Sequence, residues 1–280
     1  MSQTARGGPH PPARDSLHRL DEHSPTGDEV RDAWDLLAQF WDEKMEAGKT
    51  WQGGLIQPSV ERLLELQPGE RILEIACGNG EFARRMRELG ATVLATDFSE
   101  HMLERARSHG GDVDYRLADA TDVDQLLALG ESGSFDAVVS NMAIMDMTSI
   151  DPMVAACAHL LKPTGRFVFS TLHPSFNSGD VRPMVELDPH GGVTEVYSVK
   201  VVGYGRAFPN TGVALPDQPV QQWYFHRPFW MILQPFFEHG FVLDGLEEPL
   251  LTPDEEEPGT PAFVFTQIPG VLVGRMRLIP

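Results

Sequence analysis

The segment ILEIACGNGEFA, residues 72–83, reads as a buried strand that enters a Gly-x-Gly turn at Gly78 and Gly80 and leaves it as a helix. Glycines suit that turn because the backbone must reverse sharply and let a ligand approach where a Cβ would stand. In an open α/β sheet, ligands collect at the carboxyl ends of the strands, near the switch in strand order. This segment therefore decides both the fold class and the place to look for a site.

Outward from it, short apolar runs alternate with helical patterns. Arg71–Ile75, Thr92–Thr96, Val113–Leu117, Phe135–Ser140 and Arg166–Thr171 read as strands. Glu81–Leu89, Glu100–His109, Asp122–Leu129 and Asp151–Leu161 read as helices, closed by Gly90, by Gly110-Gly111 and by Pro163 with Gly165. Phe241–Leu246 and Val271–Leu278 supply two more strands, preceded by a helix over about Arg227–His239. Strict alternation with short turns predicts an α/β fold: a Rossmann-like, doubly wound, mostly parallel seven-stranded sheet with helices on both faces.

Upstream, Val30, Trp34, Leu37, Phe40, Trp41 and Met45 recur at helical spacing, and a second helix runs from Ser59, read as its N-cap, to the Pro68-Gly69 stop. The first residues are rich in Pro, Gly, His and charge and read as a disordered tail. After His173-Pro174 the alternation pauses for some fifty residues, in which Thr194–Tyr204 reads as a strand. The expected organisation is a tail (1–28), an N-terminal helical lid (29–68), a nucleotide-binding core (69–175), a cap inserted after strand 5 (176–226) and the rest of the core sheet (227–280).

Hydrophobic residues make up 41% and charged residues 22% of the 280, which suits a soluble globular protein with a real core. The net charge of −19 repels a phosphate backbone, so nucleic acid is a poor substrate. Two cysteines, Cys77 and Cys157, are too few for a disulfide framework, and no run approaches the ~20 apolar residues of a membrane span. The expectation is a cytoplasmic monomer or homodimer.

Gly78-x-Gly80-x-x-Ala83 also fits the dinucleotide fingerprint, and Asp97 lies near the ~20-residue offset of its ribose-binding acid. Charge helps to separate the two readings. Glu74 sits in the strand just before the turn; its carboxylate would oppose a pyrophosphate but suits a ligand carrying an ammonium and a sulfonium.

Glu74-Ile-Ala-Cys-Gly-Asn-Gly80 resembles the first motif of class I S-adenosylmethionine (SAM)-dependent methyltransferases, and four further stations follow in the family's order. They are Asp97 in VLATDFS, Asp119-Ala120 in YRLADAT, the segment FDAVVSNMAIMD (residues 135–146) and LLKPTGRFVFST (residues 160–171). The resemblance is closest to small-molecule enzymes of the ubiquinone/menaquinone type and their secondary-metabolite relatives. It implies SAM as cofactor and S-adenosylhomocysteine (SAH) as product. It also implies that Glu74, Ala76, Cys77, Gly78, Asn79 and Gly80 surround the methionine moiety, and that Asp97 accepts from the ribose diol. Phe98 and Met102 would then sandwich the adenine, with Asp119 and Ala120 at its amine and Asn141, Met142 and Ala143 closing the other side. Taken singly, Asp97 also suits a cap for the helix starting at Ser99, Met102 suits the core, and Asp119 suits an ordinary loop.

Methyl transfer from a sulfonium needs alignment, exclusion of water and sometimes a base; no metal is required in principle. His173, after the fifth strand, and His226, in QQWYFHRPF, are the candidate bases. Trp41, Phe176, Trp223 and Tyr224 are candidate walls for a flat or apolar acceptor, with Trp34, Phe40 and Phe225 as further lid aromatics. The expected function is a transferase that methylates a small organic acceptor. An NAD-dependent oxidoreductase and a SAM-binding protein without methylation are the rivals.

Overall fold

The computed structural model describes residues 24–47, 50–187, 195–252 and 265–279. Most of the expected tail, residues 1–23, lies outside the described residues, as does Thr194 of the expected cap strand. Helix α1 (Gly27–Ala47) starts the described chain; a π-helical turn (Thr50–Ile56) and α2 (Gln57–Leu64) follow. Ser59 is not the cap of α2: it lies inside the helix, and its hydroxyl donates to the Leu55 carbonyl. Pro58, in the first turn, marks the start instead, since its fixed φ and missing N–H are harmless there.

The alternation predicted from the glycine turn is present. β1 (Arg71–Ile75), α3 (Glu81–Glu88), β2 (Thr92–Asp97), α4 (Glu100–Ser108), β3 (Asp114–Leu117), α5 (Val123–Leu127), β4 (Phe135–Asn141), α6 (Asp151–Leu160) and β5 (Leu161–Leu172) follow in turn. β5 begins directly at the end of α6 and runs through Pro163 and Gly165, earlier than expected. A register irregularity opposite Phe135/Ala137 accommodates this extra length.

Between β5 and Phe229 the described residues form four strands where one was expected. β6 (Asp180–Leu187) pairs antiparallel with β7 (Glu195–Val202), and β8 (Phe208–Gly212) with β9 (Gln222–His226). β6 and β8 each carry a proline, a residue that two-stranded ribbons tolerate because half their backbone groups need no partner. That composition hid both strands. α7 (Phe229–Glu238), β10 (Phe241–Glu247) and β11 (Val271–Leu278) complete the chain.

The seven-stranded sheet has the order β10-β11-β5-β4-β1-β2-β3, and β11 alone runs antiparallel to its neighbours. Strand order therefore reverses between β1 and β4. Both faces of the sheet are buried. Leu73, Val138, Phe167 and Phe169 pack towards α6 and α7, where Phe236 lies edge-on to Phe167 and stacked on Phe169. Ile72, Val93, Val139 and Val168 pack towards α2, α3 and α4. This double burial explains why the strands read as continuous apolar runs. Among the described residues no helix is long and apolar enough to cross a membrane.

Candidate functional site

At the carboxyl end of β1 the chain passes through Ala76 (φ 58°), Gly78 (φ 56°) and Gly80 (φ 72°). A Cβ on Gly80 would clash with the Tyr115 ring and hydroxyl, and its φ is left-handed, so glycine suits the start of this helix. A Cβ on Gly78 would meet no atom within 4 Å; that position is left open on the ligand side. Met142, at the matching end of β4, is also left-handed (φ 51°). Non-glycine residues in that region are strained by about 1–3 kcal/mol each, and they cluster where a ligand is held. Here the Met142 N–H is fixed by the carbonyl and hydroxyl oxygens of Ser170.

Between these two strand ends opens a cavity of about 780 Å³. Twelve of the fourteen expected cofactor residues line it: Glu74, Ala76, Cys77, Gly78, Asp97, Phe98, Met102, Asp119, Ala120, Asn141, Met142 and Ala143. Asn79 and Gly80 stand behind the wall. The Asn79 side chain accepts from the Glu81 N–H and donates to Asp42 at 3.0 Å, so it braces the turn.

Two buried carboxyls dominate the electrostatics. Glu74 is 2% exposed, and its Oε2 has no hydrogen-bond partner among the described residues. Burial, reinforced by the Asp97 carboxylate, pushes its pKa up to about 8. Asp97 accepts from the Gly78 N–H on one oxygen and from the Ser99 N–H on the other, both at 2.9 Å. Burial still lifts it to about 6 against those bonds. Ser99, not Asp97, caps α4 by accepting from the Met102 N–H. Asp119 shares its carboxylate between Thr121 and Arg31.

Helix α1 lies across the mouth. Arg31 pairs with Asp119 at 3.2 Å and sits over the Phe98 ring. Asp35 accepts from the Ser99 hydroxyl, and Asp42 meets both Asn79 and His109. These three contacts reach the loops after β3, β2 and β1. No local pattern announces them, because each joins α1 to a loop far along the chain.

The candidate bases are displaced. His173 accepts from the Ser175 N–H through Nδ1 and gives Nε2–H to Glu248 at 2.7 Å, with its ring stacked on Phe176. His226 accepts from the Ser178 hydroxyl and donates to the Tyr204 carbonyl. Neither ring lines the cavity, both nitrogens of each are engaged, and burial lowers both pKa values. In this arrangement both rings are held by contacts within the protein.

Of the expected acceptor walls, Trp41 and Tyr224 line the cavity, while Phe176 and Trp223 do not. Side chains alternate along a strand, so Gln222 and Tyr224 of β9 share one face and Trp223 takes the other. Gln222 and Asp146 also line the cavity and were not singled out by sequence reasoning. The alternation in β9 was the available signal for Gln222.

Comparison with known proteins agrees with this geometry. A family described as a methyltransferase domain matches residues 73–169. A ubiquinone biosynthesis O-methyltransferase of Xanthomonas oryzae pv. oryzae is 38% identical over 109 residues, covering 38% of this chain and 44% of the relative. The enzyme of that name from Thiobacillus denitrificans is 39% identical over 151 residues, covering 51% and 62%. The chain thus spans about half the length of the curated relatives it matches. A crystal structure of a SAM-dependent methyltransferase from Mesorhizobium loti superimposes with a TM-score of 0.62 at 27% identity, over 79% of this chain and 96% of that one.

Proposed function

We propose that this chain, in which residues 73–169 match a family described as a methyltransferase domain, is a class I SAM-dependent methyltransferase that transfers a methyl group to a small acceptor with a largely apolar body. SAM is the cofactor of such a domain, and it supplies a methyl group on a cationic sulfur, open to in-line attack. The observation that carries the reading is Glu74: a carboxyl at the glycine turn, buried, with an oxygen that no group among the described residues satisfies. Such an atom costs about 1–3 kcal/mol unless a ligand completes it, and the ammonium of SAM is a matching donor.

In this reading Glu74 holds the ammonium, and Gly78 leaves room for the methionine chain. Asp97 accepts from the ribose hydroxyls, and Phe98 and Met102 flank the adenine. Helix α1, with the π-helical turn, acts as a lid that keeps water out. Residues 176–226 act as a cap over the acceptor. A chain of net charge −19 suits a small-molecule acceptor better than nucleic acid. Two free, buried cysteines are in keeping with a cytoplasmic site of action.

Calorimetric titration of the protein with SAH, and with NADH as control, tests the reading. SAH is expected to bind and NADH not to; binding of NADH alone would make the glycine turn a dinucleotide site.

Glu74 adds a pH signature. Its folded pKa, about 8, lies above the ordinary 4.5, so the free protein loses stability as pH rises through that window, and Glu74→Gln flattens the slope. A cation laid against Glu74 favours its ionised form, so binding near neutral pH expels its proton. Titrations in buffers of different ionisation enthalpy should report about one proton released per SAH, and none for Glu74→Gln. Equal proton release in both proteins would remove Glu74 from the ammonium site.

A further inference from the structure

Helix α1 runs along the cavity in a fixed order. Near its start, Arg31 pairs with Asp119 in the loop after β3. One turn on, Asp35 accepts from the hydroxyl of Ser99, two residues beyond Asp97. Near its end, Asp42 accepts from the Asn79 amide at 3.0 Å, in the glycine turn. In the reading above these stations belong to the adenine, the ribose and the methionine moiety of the cofactor. The last turns of α1 are therefore laid over the amino-acid end.

Val30, Trp34, Trp41 and Lys44 line the cavity from α1, at a spacing that keeps them on one helix face. Packing leaves two features of that face unexplained. The Trp41 indole packs against Trp34 and Phe40, yet its buried Nε1–H has no acceptor among the described residues. A buried donor without an acceptor is costly, and a native protein leaves few of them. Lys44 is the only basic side chain among the described residues that line the cavity. Its ammonium lies over the Phe40 ring and pairs with no carboxylate among the described residues. The other charged residues of the lining are acids: Glu74, Asp97, Asp119 and Asp146. Such a wall repels an anion everywhere except beside the one cation and the free donor.

Resting on the methyltransferase reading, we propose that the Trp41 Nε1–H and the Lys44 ammonium form a carboxylate subsite on α1 that holds the amino-acid end of the cofactor. SAM carries its ammonium and its carboxylate on one carbon. With the ammonium at Glu74, the carboxylate lies close by and needs partners of the opposite kind. Trp41 supplies a directed hydrogen bond from a buried edge, and Lys44, exposed at the mouth, supplies a charge on a flexible stem. In this role Trp41 is a cofactor residue rather than a wall for the acceptor. Helix α1 then reads the cofactor from end to end, and the site selects the whole amino acid over a nucleoside that lacks the carboxylate.

Calorimetry on the whole chain with SAH and with decarboxylated SAH, which keeps the amine and the nucleoside, tests the subsite. Wild type is expected to bind SAH at least ~10-fold more tightly than the decarboxylated form. Trp41→Phe keeps a ring and removes the N–H; Lys44→Met keeps the stem and removes the charge. Each should cut SAH affinity about threefold or more and leave affinity for the decarboxylated form within about twofold of wild type. Together they should reduce the preference to about twofold or less, whereas Lys44→Arg should retain it. Lys44 is exposed, so its variants carry the test if Trp41→Phe does not fold. Equal binding of the two ligands by wild type, a preference that survives the substitutions, or an equal loss for both ligands would overturn the proposal. Failure of wild type to bind SAH at all would instead overturn the methyltransferase reading.

Discussion

Asp97→Ala is expected to weaken SAH binding by ~100-fold or more while the protein stays folded. The carboxylate has two duties on one buried spot. It holds the Gly78 and Ser99 N–H groups at 2.9 Å, which joins the glycine turn to the start of α4, and in the proposed reading its remaining lone pairs accept from the ribose diol. Hydrogen bonds to a charged group contribute about 1.5–3 kcal/mol each, so losing the two to the ligand alone reaches a hundredfold. Loosening of the turn adds to that. Asp97→Asn should fall between, since its amide keeps one acceptor and presents a donor where the Gly78 N–H already points. Calorimetry with SAH checks affinity, and far-UV circular dichroism checks the fold. Affinity within about threefold of wild type in a folded alanine variant would return Asp97 to a purely structural role.

Arg227→Ala is expected to produce the largest loss of stability. The guanidinium is partly buried and donates to four carbonyls, those of Ile144, Met147, Thr148 and Phe225. Burial lowers its pKa to about 10, which still leaves it charged at neutral pH. Removing it strands several carbonyl oxygens away from water, at about 1–3 kcal/mol for each that finds no substitute. A total on the order of 3–5 kcal/mol is reasonable for breaking a buried charged network. For a chain of this size each kcal/mol shifts Tm by about 2–4 °C, so a fall of roughly 10 °C is expected in thermal denaturation. Lysine should restore little of it, because a compact ammonium cannot reproduce the planar fork. A melting point within about 2 °C of wild type would show that the 144–148 loop holds its shape without this side chain.

Much of the core was legible because its rules are local. Each parallel strand, such as Val93–Asp97, is an apolar run ended by a turn residue, and each helix that follows carries its own stop. That most of the motif residues would line one cavity was legible because they follow strand ends, a place fixed by the sheet rather than by distant contacts. What escaped depends on packing between remote segments. The fifth-strand edge correctly located His173, but the ring turns to Glu248, a partner from beyond β10. Asp146 was in view within the fourth-strand segment, yet nothing local distinguishes a loop acid at the surface from one sealed against Gln222. Ser59 was misread because a serine ahead of a leucine-rich run resembles a cap, whereas the adjacent Pro58 had already marked the start.

The position of β11 has a consequence for how the chain is made. β11 is seated between β5 and β10, and it pairs antiparallel with both. During synthesis, β1 to β5 can leave the ribosome and pair among themselves, because their partners on the β4-β1-β2-β3 side all precede residue 173. One edge of β5 must then wait, unpaired and rich in buried residues such as Phe167, Val168 and Phe169, until residues 271–278 arrive. An open apolar edge is a template for another chain. Premature termination anywhere in the cap or in α7 therefore yields a fragment with a ready-made half-sheet and an exposed, sticky border. Such fragments should be substrates for chaperones and proteases rather than soluble partial enzymes.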